Sequence, residues 1–117
     1  MPTDQDLIRR TALDYFEGWF DGDAARMERA LHPDLVKRSP GEDASSLGIT
    51  TAERMVEMTK LGEGRADAAD RRIEVEILDV YEDISSVLVR SVPYHEYLHL
   101  VRTRDGWRIA NALWRRT

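Results

Sequence analysis

Apolar side chains recur at helical spacing through the first third of the chain (Leu7, Ile8, Ala12, Tyr15, Phe16, Trp19 and Phe20), which predicts a long helix with one buried face. Thr3 or Asp4 can cap its start. Asp21-Gly22-Asp23 ends it: the glycine is free to take the left-handed conformation, and Asp23 caps a second helix carrying Met27, Ala30 and Leu31 as far as His32-Pro33. Two helices therefore meet at a tight corner. Leu35 to Arg38 reads as a short strand, and Ser39 to Gly48, with Pro40, Gly41 and two serines, as a loop. Thr50 with Glu53 makes a capping box for a third helix, whose Met55, Val56 and Thr59, with neighbouring Met58, form its buried stripe. Gly62 to Asp70 is a polar connection with no periodicity.

From Arg72 the period changes to two, with Ile73, Val75 and Ile77 alternating with Glu74 and Glu76. Further strands are predicted at Ile84 to Ser91, His95 to Thr103 and Trp107 to Arg115, the last two joined through Asp105-Gly106 as a hairpin. Helices first and a mostly antiparallel sheet after is an α+β layout.

Within that sheet His95-Glu96-Tyr97-Leu98-His99 spells the zinc-protease string H-E-x-x-H. The string binds zinc on a helix, where both imidazoles stand one turn apart on one face. On a strand they lie about 13 Å apart, at roughly 3.3 Å per residue, too far to share an ion. The flanking β pattern and Pro93 argue for the strand, so no metal is expected. Cysteine is absent from the 117 residues, which excludes disulfides and thiolate chemistry. A net charge of -5 argues against a nucleic-acid partner, and the arginines at 102, 104, 108, 115 and 116 read as a solvated hairpin edge. No apolar run is long enough to span a membrane, and the expectation is a cytoplasmic protein of one domain, residues 1–117.

The order of three helices, an early short strand and a C-terminal sheet resembles the nuclear transport factor 2-like superfamily over nearly the whole chain. More narrowly, Tyr94, Glu96, Tyr97, His99, Leu100, Asp105, Gly106, Trp107, Ile109, Asn111 and Trp114 look like the closing motif of its putative lumazine-binding subgroup. Ala12, Asp14, Tyr15, Gly18, Gly22, Asp23, Met27, His32, Pro33 and Leu35 are similar to that subgroup's opening. The resemblance implies a cone-shaped, curved, mostly antiparallel sheet packed on three N-terminal helices around a central cavity, usually as a homodimer. It implies no single activity, because the superfamily spans ketosteroid isomerases, dehydratases, polyketide cyclases, epoxide hydrolases and binding modules.

Steroid isomerases of the superfamily polarise a carbonyl with a tyrosine on the first helix, and Tyr15 occupies the similar place. Their aspartate base precedes a proline at the end of the first strand, where this chain has Ser39-Pro40. A serine without a paired histidine cannot abstract a carbon-bound proton, so that mechanism lacks its base. Tyr15 is then either a catalytic hydroxyl or a core aromatic whose hydroxyl is satisfied.

The last hairpin has two open registers. With Asp105-Gly106 as the central turn residues, Leu100 faces Asn111, Leu98 faces Leu113, and Glu96 and Asn111 share the apolar face; a three-residue loop instead aligns His99 with Asn111 and Tyr97 with Leu113. The first is favoured because it gathers more aliphatic surface toward a cavity. Glu96 is then a general acid or base, or an ion-pair partner of Arg115 or Arg90. Trp19, Met55, Met58, Leu98 and Asn111 would line the ligand cavity, and the face carrying Tyr97, His99 and Trp114, with Ala110 and Ala112, would form the homodimer contact.

Two functions follow as expectations. The first is a small-molecule-binding protein, without cofactor, whose cavity takes a flat, partly polar ligand such as a pteridine. The alternative is an enzyme of the ketosteroid isomerase, dehydratase or polyketide cyclase type, using Tyr15 and Glu96 for proton transfer.

Overall fold

Thr3 starts the first helix with a reciprocal cap: its hydroxyl accepts from the Asp6 N–H at 3.1 Å and its own N–H donates to the Asp6 carboxylate at 3.0 Å. The helix, α1 (Asp4–Asp21), belongs to a computed structural model that describes residues 1–67 and 69–117; Ala68, inside the expected polar connection, lies outside the described residues. Gly22 closes α1 at φ 69°, the left-handed conformation that favours glycine, and Asp23 caps α2 (Ala24–Ala30) by accepting from the Arg26 N–H. The corner is tight because a Cβ on Gly18 would lie 3.2 Å from the Met27 nitrogen. Buried Asp14 clamps it, accepting from the Arg26 and Arg29 guanidinium groups at 3.0 and 3.1 Å.

The chain then runs through β1 (Leu31–Pro40), β2 (Leu47–Thr51), α3 (Ala52–Lys60), a 3-10 turn (Glu63–Asp67), β3 (Glu74–Tyr81), β4 (Ile84–Arg90), β5 (Tyr94–Thr103) and β6 (Gly106–Arg116). The described residues form one six-stranded sheet in the order β2-β1-β6-β5-β4-β3, antiparallel except where β1 meets β6. The α+β layout is as expected, with one more strand. β2 hides in the sequence because Leu47-Gly48-Ile49 follows directly on a Gly/Ser-rich loop, and as an edge strand it leaves Leu47 and Ile49 exposed. Since Thr50 is still in β2, the cap of α3 falls one residue later, on Thr51, whose hydroxyl accepts from the Arg54 N–H.

Strand β5 alternates strictly: Tyr94, Glu96, Leu98 and Leu100 are buried under the helices, and Tyr97 and His99 are exposed. H-E-x-x-H thus lies on a strand, both histidines on the face away from α1. Ile8, Ala12, Phe16 and Phe20 of α1 join Val87, Val89, Leu98, Leu100 and Ile109 in one core, each full burial contributing roughly 1.5–3 kcal/mol for the larger side chains.

The hairpin turn is centred on Arg104-Asp105, with Thr103 opposite Gly106, whose φ of 110° suits glycine. The pairing then shifts by one residue between His99 and Leu100, so that Leu100 faces Ile109 but His99 faces Asn111. This bulge at Ala110 reverses which β6 side chains point inward: Trp107 and Ile109 before it, Ala112 and Trp114 after it. Among the described residues no helix is long and apolar enough to cross a membrane.

Candidate functional site

Between the helix-covered face of the sheet and helices α1 and α3 lies a pocket of about 300 Å³. That is the lower end of the range for small-molecule sites, room for a compact bicyclic molecule. Tyr15, Phe16 and Trp19 reach it from α1, Met55 and Met58 from α3, Tyr94 and Glu96 from β5, Trp114 and Arg116 from β6, and Lys37 from β1; Thr50 and Glu63 complete the lining.

Three polar side chains meet at its base. The Tyr15 hydroxyl donates to Glu96 Oε2 at 2.5 Å and accepts from the Lys37 ammonium, whose Nζ is 3.5 Å from the same carboxylate oxygen. Glu96 is only 2% exposed and the Lys37 side chain 12%, so this is a buried charge pair with a phenol bridging it. Either charge left alone there would be costly, and each supplies the other's partner. Burial, and then the Glu96 carboxylate, holds the Tyr15 phenol well above its usual 10.0. Burial also lowers the Lys37 ammonium from 10.5, against the opposing pull of Glu96. Tyr15 therefore stays a hydrogen-bond donor through the neutral range.

Aromatic rings make the walls. The Trp19 indole N–H donates to the Tyr94 hydroxyl at 3.1 Å, Tyr94 meets Trp114 edge-on at 5.5 Å between centroids, and Phe20 stacks behind Tyr94 at 6.0 Å. Lys37 Nζ lies 5.0 Å from the centroids of both Tyr15 and Trp114, within cation–π range. Gly64 lets the 3-10 turn close over this wall, because a Cβ there would come within 2.3 Å of the Trp19 carbonyl oxygen.

Of the residues singled out from sequence, Tyr15, Glu96, Trp19, Met55 and Met58 come together around this pocket. Leu98 does not: it is fully buried in the core beside the pocket. Asn111 does not either, because the bulge turns it to the opposite face, where its Oδ1 bonds His99 Nδ1 at 2.9 Å. Trp114 and Ala112, expected on that opposite face, point inward for the same reason. Glu96 takes Lys37 as its cation rather than Arg115 or Arg90, and Arg90 pairs with Glu74 and Glu76. Ser39 sits opposite Gly48 at the β1–β2 edge and contributes nothing to the lining, so the polar group that β1 supplies is Lys37, two residues earlier. Sequence reasoning overlooked Lys37, although its spacing from buried Leu35 marks it as inward-facing.

The sequence profile described as putative lumazine-binding matches residues 3–115, nearly the whole chain. The chain belongs to the putative lumazine-binding family. Among solved structures, a nuclear transport factor 2-like protein of unknown function from Silicibacter pomeroyi DSS-3 is similar, at 18% identity over 100% of both chains and a TM-score of 0.75. A ketosteroid isomerase-like protein from Erwinia carotovora atroseptica aligns at 16% identity over 99% of this chain and 98% of that one, with a TM-score of 0.70. A domain of unknown function with a cystatin-like fold from Nostoc punctiforme matches at 13% identity over 100% and 80%, with a TM-score of 0.69. At these identities the likenesses establish the fold of this member of the putative lumazine-binding family and leave its chemistry to its own residues. No curated relative matches in sequence.

The buried phenol has a measurable consequence. Above pH 10.0 the unfolded chain loses a tyrosine proton that the folded chain keeps, so stability falls as pH rises, while Lys37 contributes the opposite slope below 10.5. In Tyr15→Phe the falling contribution disappears. Urea denaturation between pH 10 and 11 should show a shallower loss in the variant, by up to about 1.4 kcal/mol per pH unit. Equal slopes would contradict a buried Tyr15 hydroxyl.

Proposed function

We propose that this pocket binds a small, flat, partly polar molecule of pteridine-like type. The observation that carries the reading is the Lys37–Glu96 pair set at the base of an aromatic-walled pocket, joined by Tyr15. Trp19, Tyr94 and Trp114 offer ring faces and edges to a planar heterocycle. The Lys37 ammonium carries three N–H donors, and the Glu96 carboxylate beside it carries two acceptor oxygens. A donor beside an acceptor complements a ring edge in which a carbonyl adjoins an N–H, as in a pteridinedione. The family description points the same way. The proposal extends to a cytoplasmic homodimer through the outer sheet face carrying Tyr97 and His99, where Ile84 and Leu113 are also exposed.

A second reading rests on the 2.5 Å Tyr15–Glu96 hydrogen bond. Glu96 would take a proton from carbon next to a carbonyl, with the Tyr15 hydroxyl or Lys37 ammonium holding the developing enolate oxygen. This is the ketosteroid isomerase, dehydratase or cyclase alternative with its base moved from the end of β1 to β5.

Titration with lumazine and riboflavin precursors, followed by tryptophan fluorescence, tests the first reading. Saturable quenching is expected, weakened roughly 10-fold or more in Lys37→Met and Glu96→Gln, the loss of one charge-assisted hydrogen bond. Absence of any change at high micromolar ligand rules out a pteridine. The enzymatic reading predicts deuterium incorporation from D2O next to the carbonyl of a small cyclic ketone, abolished in Glu96→Gln; exchange no faster than in buffer dismisses it.

A further inference from the structure

We propose that Lys37 is a reactive amine that captures small aromatic aldehydes or ketones in the pocket as imines. This goes beyond reversible recognition of a heterocycle, although it uses the same walls. The chain has 15 arginines and only two lysines, Lys37 and Lys60, out of 17 basic residues. Among the described residues the other lysine or arginine ion pairs all use arginine, at Arg26, Arg29, Arg54, Arg71, Arg72, Arg90 and Arg102. A guanidinium is always charged and matches a carboxylate with two donors, so it would be the better choice for a purely structural partner of Glu96. At the cationic position beside Glu96 the chain instead carries a primary amine, the basic side chain that can lose its charge and act as a nucleophile.

The surroundings suit that chemistry. Lys37 Nζ faces Tyr15 from α1, Glu96 from β5 and the Trp114 ring from β6, and it lies on the pocket wall. Burial lowers its ammonium, so the neutral amine is more populated than on an exposed lysine. Glu63 and Arg116 are the other charged groups of the lining. Glu96 stands within 3.5 Å to take the ammonium proton, and Tyr15 bridges the two.

The step balances without an oxidant or reductant. Lys37 passes one proton to Glu96, and the nitrogen lone pair forms a C–N bond to the carbonyl carbon. The carbonyl electron pair moves to oxygen, which takes that proton from Glu96. The carbinolamine nitrogen, still carrying two protons and a positive charge, gives one of them to the Glu96 and Tyr15 relay as the hydroxyl, protonated from the same relay, leaves as water. Ammonium and carbonyl become protonated imine and water, with Glu96 returned to its carboxylate. Tyr94, Trp114 and Trp19 favour a carbonyl attached to a flat ring.

Reductive trapping decides the matter. The full chain is incubated near pH 7 with 2-naphthaldehyde and cyanoborohydride, and the adduct is located by intact mass and peptide mapping. The expected result is one naphthylmethyl group on Lys37, formed at least about tenfold faster than on exposed Lys60 or the Met1 amine. Glu96→Gln should slow labelling of Lys37, and Lys37→Arg should abolish pocket labelling while the circular dichroism spectrum is kept. Labelling of Lys60 or Met1 at a similar rate, or an unlabelled Lys37, overturns the proposal; wild-type mapping gives this answer even if a variant misfolds. The fluorescence titration reads lumazine binding without any imine, so failure of one leaves the other standing.

Discussion

A carboxylate on a central strand, flanked along that strand by buried Tyr94 and Leu98, imposes the strongest constraint on this molecule. Removed from water without a partner, such a charge costs several kcal/mol, and the structure answers with one cation and one phenol drawn from two other elements. Glu96 belongs to β5, Lys37 to β1 and Tyr15 to α1, so satisfying one charge joins both halves of the sheet to the helical layer. It also restricts register. Sliding β5 by one residue would turn Glu96 to the outer face and bring His95 and Tyr97 under α1, leaving Tyr15 and Lys37 without their acceptor.

The same network separates this site from an ordinary hydrophobic interior. Phe16, Trp19, Tyr94 and Trp114 supply ring surface, the two methionines of α3 supply adaptable apolar contact, and the polar groups are gathered at the base. An apolar pocket with few convergent polar groups can orient a ligand while excluding water. It also places a desolvated amine, a carboxylate and a protonated phenol within reach of one bound molecule. Recognition and proton transfer then draw on one set of atoms, which is why ligand binding and carbonyl chemistry are both natural readings.

Much of the architecture was legible in the amino-acid order. The α1–α2 corner followed from Gly22 between two aspartates, the zinc-protease string was recognisable as strand from its β-rich flanks, and alternation along β5 put Glu96 inward with Leu98 and Leu100. Other features had weaker signals. The bulge at Ala110 carries no glycine or proline to announce it, yet it exchanges Asn111 for Trp114 in the pocket and pairs His99 with Asn111 and Tyr97 with Leu113, as in the second register and not the favoured one, while Glu96 still points inward. Lys37 was passed over because a lysine in a short strand is ordinarily solvent-facing; alternation from Leu35 was the available clue, and an inward carboxylate at Glu96 required a cation from somewhere. β2 was lost because pairing with β1, rather than its own propensity, makes it a strand.

The central claim is that Tyr15 and Glu96 form one buried unit, and a double-mutant cycle measures that directly. Unfolding free energies of the wild type, Tyr15→Phe, Glu96→Gln and the double variant at pH 7 should give a coupling energy of about 1–3 kcal/mol. Additive effects, within about 0.3–0.5 kcal/mol, would mean that the two side chains do not interact in solution, contradicting the account.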